Sequence, residues 1–334
     1  SVLAAATAAD LGYGDPRGSA VLRRELSGWL ARTRGVGAAP DDLVVVTGVA
    51  QALALTAQVL HARGHRCIAV EDPGSRGARE QLAHWGPVPV GVGVDDDGLD
   101  VAALAGTAAA AVLVTPAHQF PTGVVLGPAR RRALLAWAAE RDGLVVEDDY
   151  DAEHRYDRRP VPALQAGAPE RVVYMGSTSK VLAPGLRLGW LLAPGRLRAQ
   201  VVAAKHASDI CSPVLPQLVL AHLLATGVLE RHLRLVRRRQ RQRRDALLAG
   251  LREHLPAARV HGVAAGLHLL VTLPGSVPEA EVVADLASGG VRVQPLAMHR
   301  LRPGPPGLVL GYAATGPDLL REAAAAIGAA VARS

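Results

Sequence analysis

The 334 residues carry a formal net charge of +7, with 49% hydrophobic and 20% charged positions. That balance excludes a disordered chain, and the length allows two lobes with cores of their own. Of the 37 basic residues only Lys180 and Lys205 are lysines, asparagine is absent, and Phe120 is the sole phenylalanine. Chemistry that needs an amine has two candidates; chemistry that needs an asparagine has none.

The chain begins Ser1-Val2-Leu3-Ala4, inside an expected helix and without an initiator Met, which reads as a piece of a longer protein. It shows no signal peptide, and no apolar run reaches the ~20 residues of a membrane span. A buried strand is expected at 43–46, followed after Thr47-Gly48 by a helix over 50–60. Further strands are expected at 67–70, 111–114, 144–146 and 172–175. Continuous apolar strands alternating with helices predict an α/β domain with a mostly parallel sheet. From 201 to 251 the pattern is helical. Short strands at 266–273, 291–293 and 308–310 and a last helix from about Pro317 predict a small α+β lobe. The division is a large domain over 1–205, a long connecting helix over 206–250 and a small C-terminal domain over 251–334.

Eight arginines, Arg231, Arg234, Arg237, Arg238, Arg239, Arg241, Arg243 and Arg244, account for much of the charge. They read as the solvated face of a long helix, with a phosphate-binding face as the alternative; no aromatic residues interleave to stack on bases. Cys67 and Cys211 form neither a C-x-x-C pair nor a metal-spaced cluster, which suits a reduced cytoplasmic compartment.

Polar residues gather just past the carboxyl ends of the expected strands, the edge where ligands bind in an open α/β sheet. Lys180 follows one strand in Ser177-Thr178-Ser179-Lys180. It is either an ordinary surface residue or an amine kept because, unlike arginine, it can deprotonate and form an imine. Arg187, in Gly185-Leu186-Arg187-Leu188-Gly189-Trp190, joins the serine hydroxyls as a phosphate cup. Glu147-Asp148-Asp149-Tyr150-Asp151 ends another strand, offering a carboxylate for a protonated ring nitrogen and a phenol for the same ring. Thr47-Gly48-Val49-Ala50-Gln51 opens a helix whose free amides favour an anion. No matching His or Asp spacing points to a metal. An imine-forming lysine, an acid and a phosphate anchor are the set that pyridoxal phosphate requires.

These motifs resemble fold type I pyridoxal-phosphate proteins, and closely the aminotransferase-like domain of the MocR/GabR family of transcription regulators. The resemblance spans nearly the whole chain. It rests on Tyr13-Gly14-Asp15-Pro16-Arg17-Gly18, Glu71-Asp72-Pro73-Gly74, Thr115-Pro116-Ala117-His118-Gln119-Phe120-Pro121-Thr122-Gly123 and Glu147-Asp148-Asp149-Tyr150-Asp151. It continues through Ser177-Thr178-Ser179-Lys180, Arg187-Leu188-Gly189-Trp190 and Gly307-Leu308-Val309-Leu310-Gly311-Tyr312.

The resemblance implies a large domain with a seven-stranded-type sheet, pyridoxal 5'-phosphate as cofactor and Lys180 as the residue forming the internal aldimine. Asp148 would meet the pyridine nitrogen and Tyr150 the phenolic oxygen, with His118 beside the cofactor. Ser177, Arg187 and the amides around Ala50 and Gln51 would hold the phosphate. Tyr13 would reach the same phosphate from a neighbouring subunit, implying a homodimer. The implied role is a cytoplasmic, effector-sensing domain that takes an amine or amino acid, with DNA bound through an N-terminal winged helix-turn-helix outside this chain. A working aminotransferase acting on an amino acid is the alternative. Three positions depart from ordinary aminotransferases. Phe120 stands where they carry asparagine, and Ser75 stands where an aromatic stacks on the ring, leaving Arg76 or His118 to replace it. No arginine lies on the strand near 308–312, so Arg292 and Arg300 are the nearest carboxylate grips. His61, His65, His222 and His254 read as structural, and Asp149, Asp151 and Glu153 as solvated, locally hydrogen-bonded groups rather than catalytic ones. Lys205 reads as a position where either basic residue is tolerated.

Overall fold

The computed structural model describes residues 2–156 and 161–334. The large lobe holds a sheet ordered β1-β8-β7-β6-β5-β2-β3-β4. Its strands are β1 (Leu43–Val46), β2 (Cys67–Asp72), β3 (Val88–Asp95), β4 (Gly98–Leu99), β5 (Ala111–Val114), β6 (Leu144–Asp148), β7 (Val172–Ser177) and β8 (Gly189–Leu192). Strands β3, β2, β5, β6 and β7 pair in parallel. β8 runs antiparallel between β7 and β1, and the two-residue β4 closes a hairpin with β3. β1, β5 and β7 are buried at every residue, because helices cover both faces of the sheet.

The helices are α1 (Val2–Ala5), α2 (Ala20–Arg34), α3 (Val49–Ala62), α4 (Arg76–His84), α5 (Val101–Ala105), α6 (Pro128–Glu140), α7 (Gly195–Asp209), α8 (Val214–Ala225), α9 (Val228–His254), α10 (Glu279–Ser288) and α11 (Pro317–Arg333). One core packs α3 and α7 on the sheet through Leu53, Leu60, Val146 and Val201. A second, with Leu104, Leu134 and Trp137, lies under α5 and α6. A third joins α2, α8 and the start of α9 through Trp29, Trp190 and Leu233. Pro128 and Pro317 occupy first helical turns, where a missing N–H costs nothing, and Gly35 closes α2 with a left-handed backbone.

The stretch 206–250 is not one connecting helix. It holds the end of α7, all of α8 and most of α9, broken at Ser212-Pro213 and at Gly227, whose φ is +66°. All eight clustered arginines lie on α9. Arg237 and Arg243 turn inward to the carbonyls of Glu153 and Ala313, whereas Arg231, Arg234, Arg238, Arg239 and Arg241 are exposed. The small lobe is an antiparallel sheet ordered β11-β12-β10-β9, made of β9 (Arg259–His261), β10 (His268–Thr272), β11 (Gln294–Pro295) and β12 (Gly307–Gly311). Its core sets Leu247 and Leu251 of α9 against Val271, Leu310 and Ile327. Residues 291–293, expected as a strand, are irregular, and pairing with β12 starts only at Gln294. Among the described residues no single helix is long and apolar enough to cross a membrane; α8 and α9 qualify only together, across an 84° bend.

Candidate functional site

The parallel strands deliver their last residues to one edge. Asp148 ends β6 opposite Met175, and Ser177 ends β7 opposite Gly189. Lys180 follows on an exposed turn. Asp148 Oδ1 is buried and has no hydrogen-bond partner. Burial pushes this carboxyl up to about 8; Asp149, Asp151 and Glu71 push the same way, and the Lys180 charge opposes them. A buried acceptor without a donor is costly unless something outside the chain completes it.

Beside it, His118 Nδ1 lies 2.8 Å from Asp151 Oδ2 and 3.2 Å from the Tyr150 hydroxyl. Burial alone would raise Asp151, but the charge and hydrogen bond of His118 hold it below the ordinary carboxylate value. Burial and the neighbouring Asp151 lift the Tyr150 phenol well above its usual range, so it stays protonated. His268, pushed down to about 3 by burial and by His118, stays neutral, and its Nε2 sits 3.1 Å from the Pro121 carbonyl. Ligand atoms of His118, Asp151 and His268 fall within 4.8 Å of one another, a grouping that linear spacing does not reveal. Phe120 packs edge-on to Tyr150 at 6.5 Å and to His299 at 5.0 Å, and against Leu270 and Leu296 of the small lobe.

The anion end forms where α3 starts. Gly48, at φ +85°, caps the helix without a side-chain hydrogen bond. Arg187 donates from Nη2 to the Thr47 carbonyl at 2.7 Å and lays its guanidinium against Gly48, where a Cβ would come within 3.1 Å. Gly189 lets β8 cross so closely that an added Cβ would stand 2.9 Å from the Gly48 Cα. Gln51 reaches back to accept from the Thr47 amide at 2.9 Å. The Ser177 hydroxyl accepts from the Ser179 amide at 3.3 Å.

Lys180, Asp148, Tyr150, His118, Ser177, Arg187, Ala50 and Gln51 thus share one strand-end edge, but other expected residues do not join them. Tyr13 is 90% exposed on this single chain. Arg292 is exposed ahead of β11. Arg300 lines a separate cleft of about 500 Å³ between the lobes, with Thr122, Arg259 and Leu296, and its buried Nε has no partner. Ser75 is the N-cap of α4, accepting from the Ala78 amide, and Arg76 pairs with Glu80 at 2.6 Å on the outer face. Lys205, read as tolerant of either basic residue, is instead fully buried and paired with Asp209 at 2.5 Å.

Two supporting networks escaped the sequence reading. Arg34 donates to both oxygens of Asp149, at 2.6 and 2.9 Å, and Tyr174 donates to Asp149 at 2.6 Å. Glu71 accepts from the Thr115 hydroxyl at 2.6 Å and from Gln119 at 3.2 Å, tying the end of β2 to the loop after β5. Glu71 and Gln119 lie inside recognisable motifs, so a signal for the second existed. Arg34 stands 115 residues from Asp149 with no local mark.

A strand-end lysine, an unpartnered buried carboxyl and a helix start clasped by arginine define a fold type I pyridoxal-phosphate protein. Residues 3–327 match the class I and II aminotransferase family. The chain belongs to that family, in its branch of MocR-type transcription regulators. It is 35% identical to the HTH-type pyridoxine biosynthesis regulator PdxR of Corynebacterium glutamicum, over 93% of this chain and 67% of that protein. It is 33% identical to the probable rhizopine catabolism regulator MocR of Rhizobium meliloti, over 93% and 64%. The chain therefore spans about two thirds of the length of these curated relatives. An aromatic-amino-acid aminotransferase of Thermococcus litoralis is 30% identical over 85% of this chain and 71% of its own length. Among solved structures, kynurenine aminotransferase of Pyrococcus horikoshii, in complex with PMP, superposes with a TM-score of 0.88 at 28% identity, covering 97% of this chain and 83% of that one. LysN of Thermus thermophilus, bound to a phosphopyridoxyl-leucine, gives 0.87 at 27%, covering 97% and 84%. The cofactor of this family and fold is pyridoxal 5'-phosphate, and the site fits it: Asp148 Oδ1 lacks the donor that a ring N–H supplies.

Proposed function

We propose that this chain is the pyridoxal-phosphate-binding, effector-sensing domain of a MocR-type regulator. The buried, unpartnered Asp148 Oδ1, within electrostatic reach of Lys180, is the observation that carries this reading. Bound pyridoxal phosphate supplies an electron-accepting ring and a carbonyl carbon that amines can exchange on. Lys180 Nζ is the amine that would hold the cofactor, at the position where an effector amine would compete with it. Asp148 accepts the ring N–H and, once so paired, keeps its charge. Tyr150 donates its retained proton to the phenolic oxygen, held in place by the pair of His118 and Asp151. The α3 amides around Ala50 and Gln51, with Ser177 and Arg187, bind the phosphate. Exposed Tyr13 supports a homodimer in which it reaches the partner's phosphate. We assign DNA contact to a segment outside these residues, as the HTH-type names of the relatives suggest, and the protein to the cytoplasm.

A second reading, a working aminotransferase acting on an amino acid, is favoured by the complete set of Lys180, Asp148 and Arg187 and by the Thermococcus relative. Loading the chain with pyridoxal phosphate and scanning the visible spectrum tests the site. We expect a cofactor band that shifts on adding an amine and is lost in Lys180→Ala. A loaded protein with no band removes both readings; sustained keto-acid formation from an amino acid selects the second.

A further inference from the structure

Lys205 poses a question that the cofactor set leaves open. It is one of two lysines in an arginine-rich chain, and its side chain is fully buried on α7. Its Nζ donates to Asp209 Oδ1 at 2.5 Å, one helical turn on. Asp209 Oδ2 accepts from Gln51 Nε2 at 2.8 Å, and Gln51 Oε1 accepts from the Thr47 amide at 2.9 Å. The Thr47 carbonyl then accepts from Arg187 Nη2 at 2.7 Å. Four hydrogen bonds thus run from a buried ammonium to the guanidinium at the anion end.

The chain of bonds has a direction. Gln51 must present its N–H to Asp209, so only its oxygen can turn back to Thr47, and the amide has one orientation. Gly48 offers no side chain, so the Val49 and Ala50 amides are left for an anion, while the Gln51 amide donates to the Gly48 carbonyl at 3.1 Å. Asp209 by itself would set a negative charge one residue from that anion; the Lys205 ammonium cancels it. Arginine would bring five donors to the fully buried position of the Lys205 side chain, against three for lysine. The backbone corroborates the constraint. Ile210, directly after Asp209, is β-branched yet sits at φ +62°, a conformation such residues reach only when the surroundings impose it.

We propose that Lys205 is a positioning residue for the phosphate of the cofactor, acting through Asp209 and Gln51 on the Thr47-Gly48 turn and on Arg187. The proposal rests on the reading that this site holds pyridoxal phosphate. The test compares dissociation constants of the full chain for pyridoxal phosphate and for pyridoxal, which lacks the phosphate, with melting of the apo protein as a control for folding. Lys205→Met weakens pyridoxal phosphate by about tenfold, the scale of one charge-assisted hydrogen bond, and leaves pyridoxal unchanged. Lys205→Arg does not rescue it, whereas Lys205→Met combined with Asp209→Asn recovers most of the loss, because the uncancelled carboxylate is gone. Should Lys205→Met not fold, Gln51→Leu breaks the same chain at a partly exposed residue and shows the same split. Equal losses for both compounds, or no loss for either, overturn the proposal while leaving the cofactor site standing. A wild-type chain that binds neither compound overturns the cofactor reading and this proposal with it.

Discussion

Asp149, on one side of the end of β6, is 4% exposed and accepts three hydrogen bonds, two from Arg34 and one from Tyr174. Asp148, its chain neighbour on the other side, has a buried oxygen with no donor at all. Strand geometry sends successive side chains to opposite faces, so one residue step separates a finished ion-pair network from an unfinished one. Burial alone would lower the Arg34 guanidinium, but the charge and hydrogen bond of Asp149 outweigh it and hold the group above its ordinary value. What the pair teaches is that buried charge here is either closed by the chain itself or left for a ligand to close. The closed side is scaffold. The open side is the site.

The comparison breaks first, and most severely, on its closed side. Arg34→Met leaves the Asp149 carboxylate buried without its cation, and we expect a loss of about 3–5 kcal/mol in chemical denaturation. A change below 1 kcal/mol would mean that Asp149 is not held by Arg34. On the open side the sign reverses. Asp148 is raised to about 8 from 3.8, so the apo protein is at its most stable with this group protonated and loses that contribution as pH rises through about 4 to 8. Asp148→Asn should therefore raise the apo melting temperature by several degrees at pH 9, with a gain that shrinks as pH falls. The same substitution weakens cofactor binding, because the ring N–H loses its carboxylate. A gain independent of pH would show that Asp148 is not the titrating group. The smallest effect belongs to the solvent-facing pair of Arg76 and Glu80. Arg76→Ala should cost only about 0.3–0.5 kcal/mol and leave cofactor affinity unchanged. A loss of affinity would restore Arg76 as a contact to the ring.

Much of this was legible in the sequence, for a physical reason. Lys180, Asp148, Ser177 and Arg187 sit in short motifs next to strands whose apolar runs announce burial on both faces, so position and chemistry are local. Strand β3 was not legible, since Pro89, Gly91 and Gly93 interrupt its pattern while the neighbouring β2 supplies the pairing. Residues 291–293 have strand-forming side chains, yet nothing local says that the register with β12 begins three residues later, at Gln294. The missing stacking aromatic at Ser75 could be read as an absence, but its use as a helix cap needed the fold. The deeper gap concerns partners far apart in sequence. Arg34 looks like an ordinary basic residue until tertiary packing sets it against Asp149, 115 residues on, whereas Lys205 has Asp209 one helical turn away and only the fold reveals that its ammonium is shut off from solvent.

One consequence of the β7–β8 pairing reaches past the chemistry. Lys180 and Arg187 stand on a single loop whose ends, Ser177 and Gly189, face each other in antiparallel register. The span from amine to guanidinium is therefore gauged by one hairpin rather than by the docking of two lobes. Movement of the small lobe can widen or narrow the mouth of the cleft without altering that gauge. An insertion in the loop would recalibrate it, shifting both ends of the ligand's berth at once.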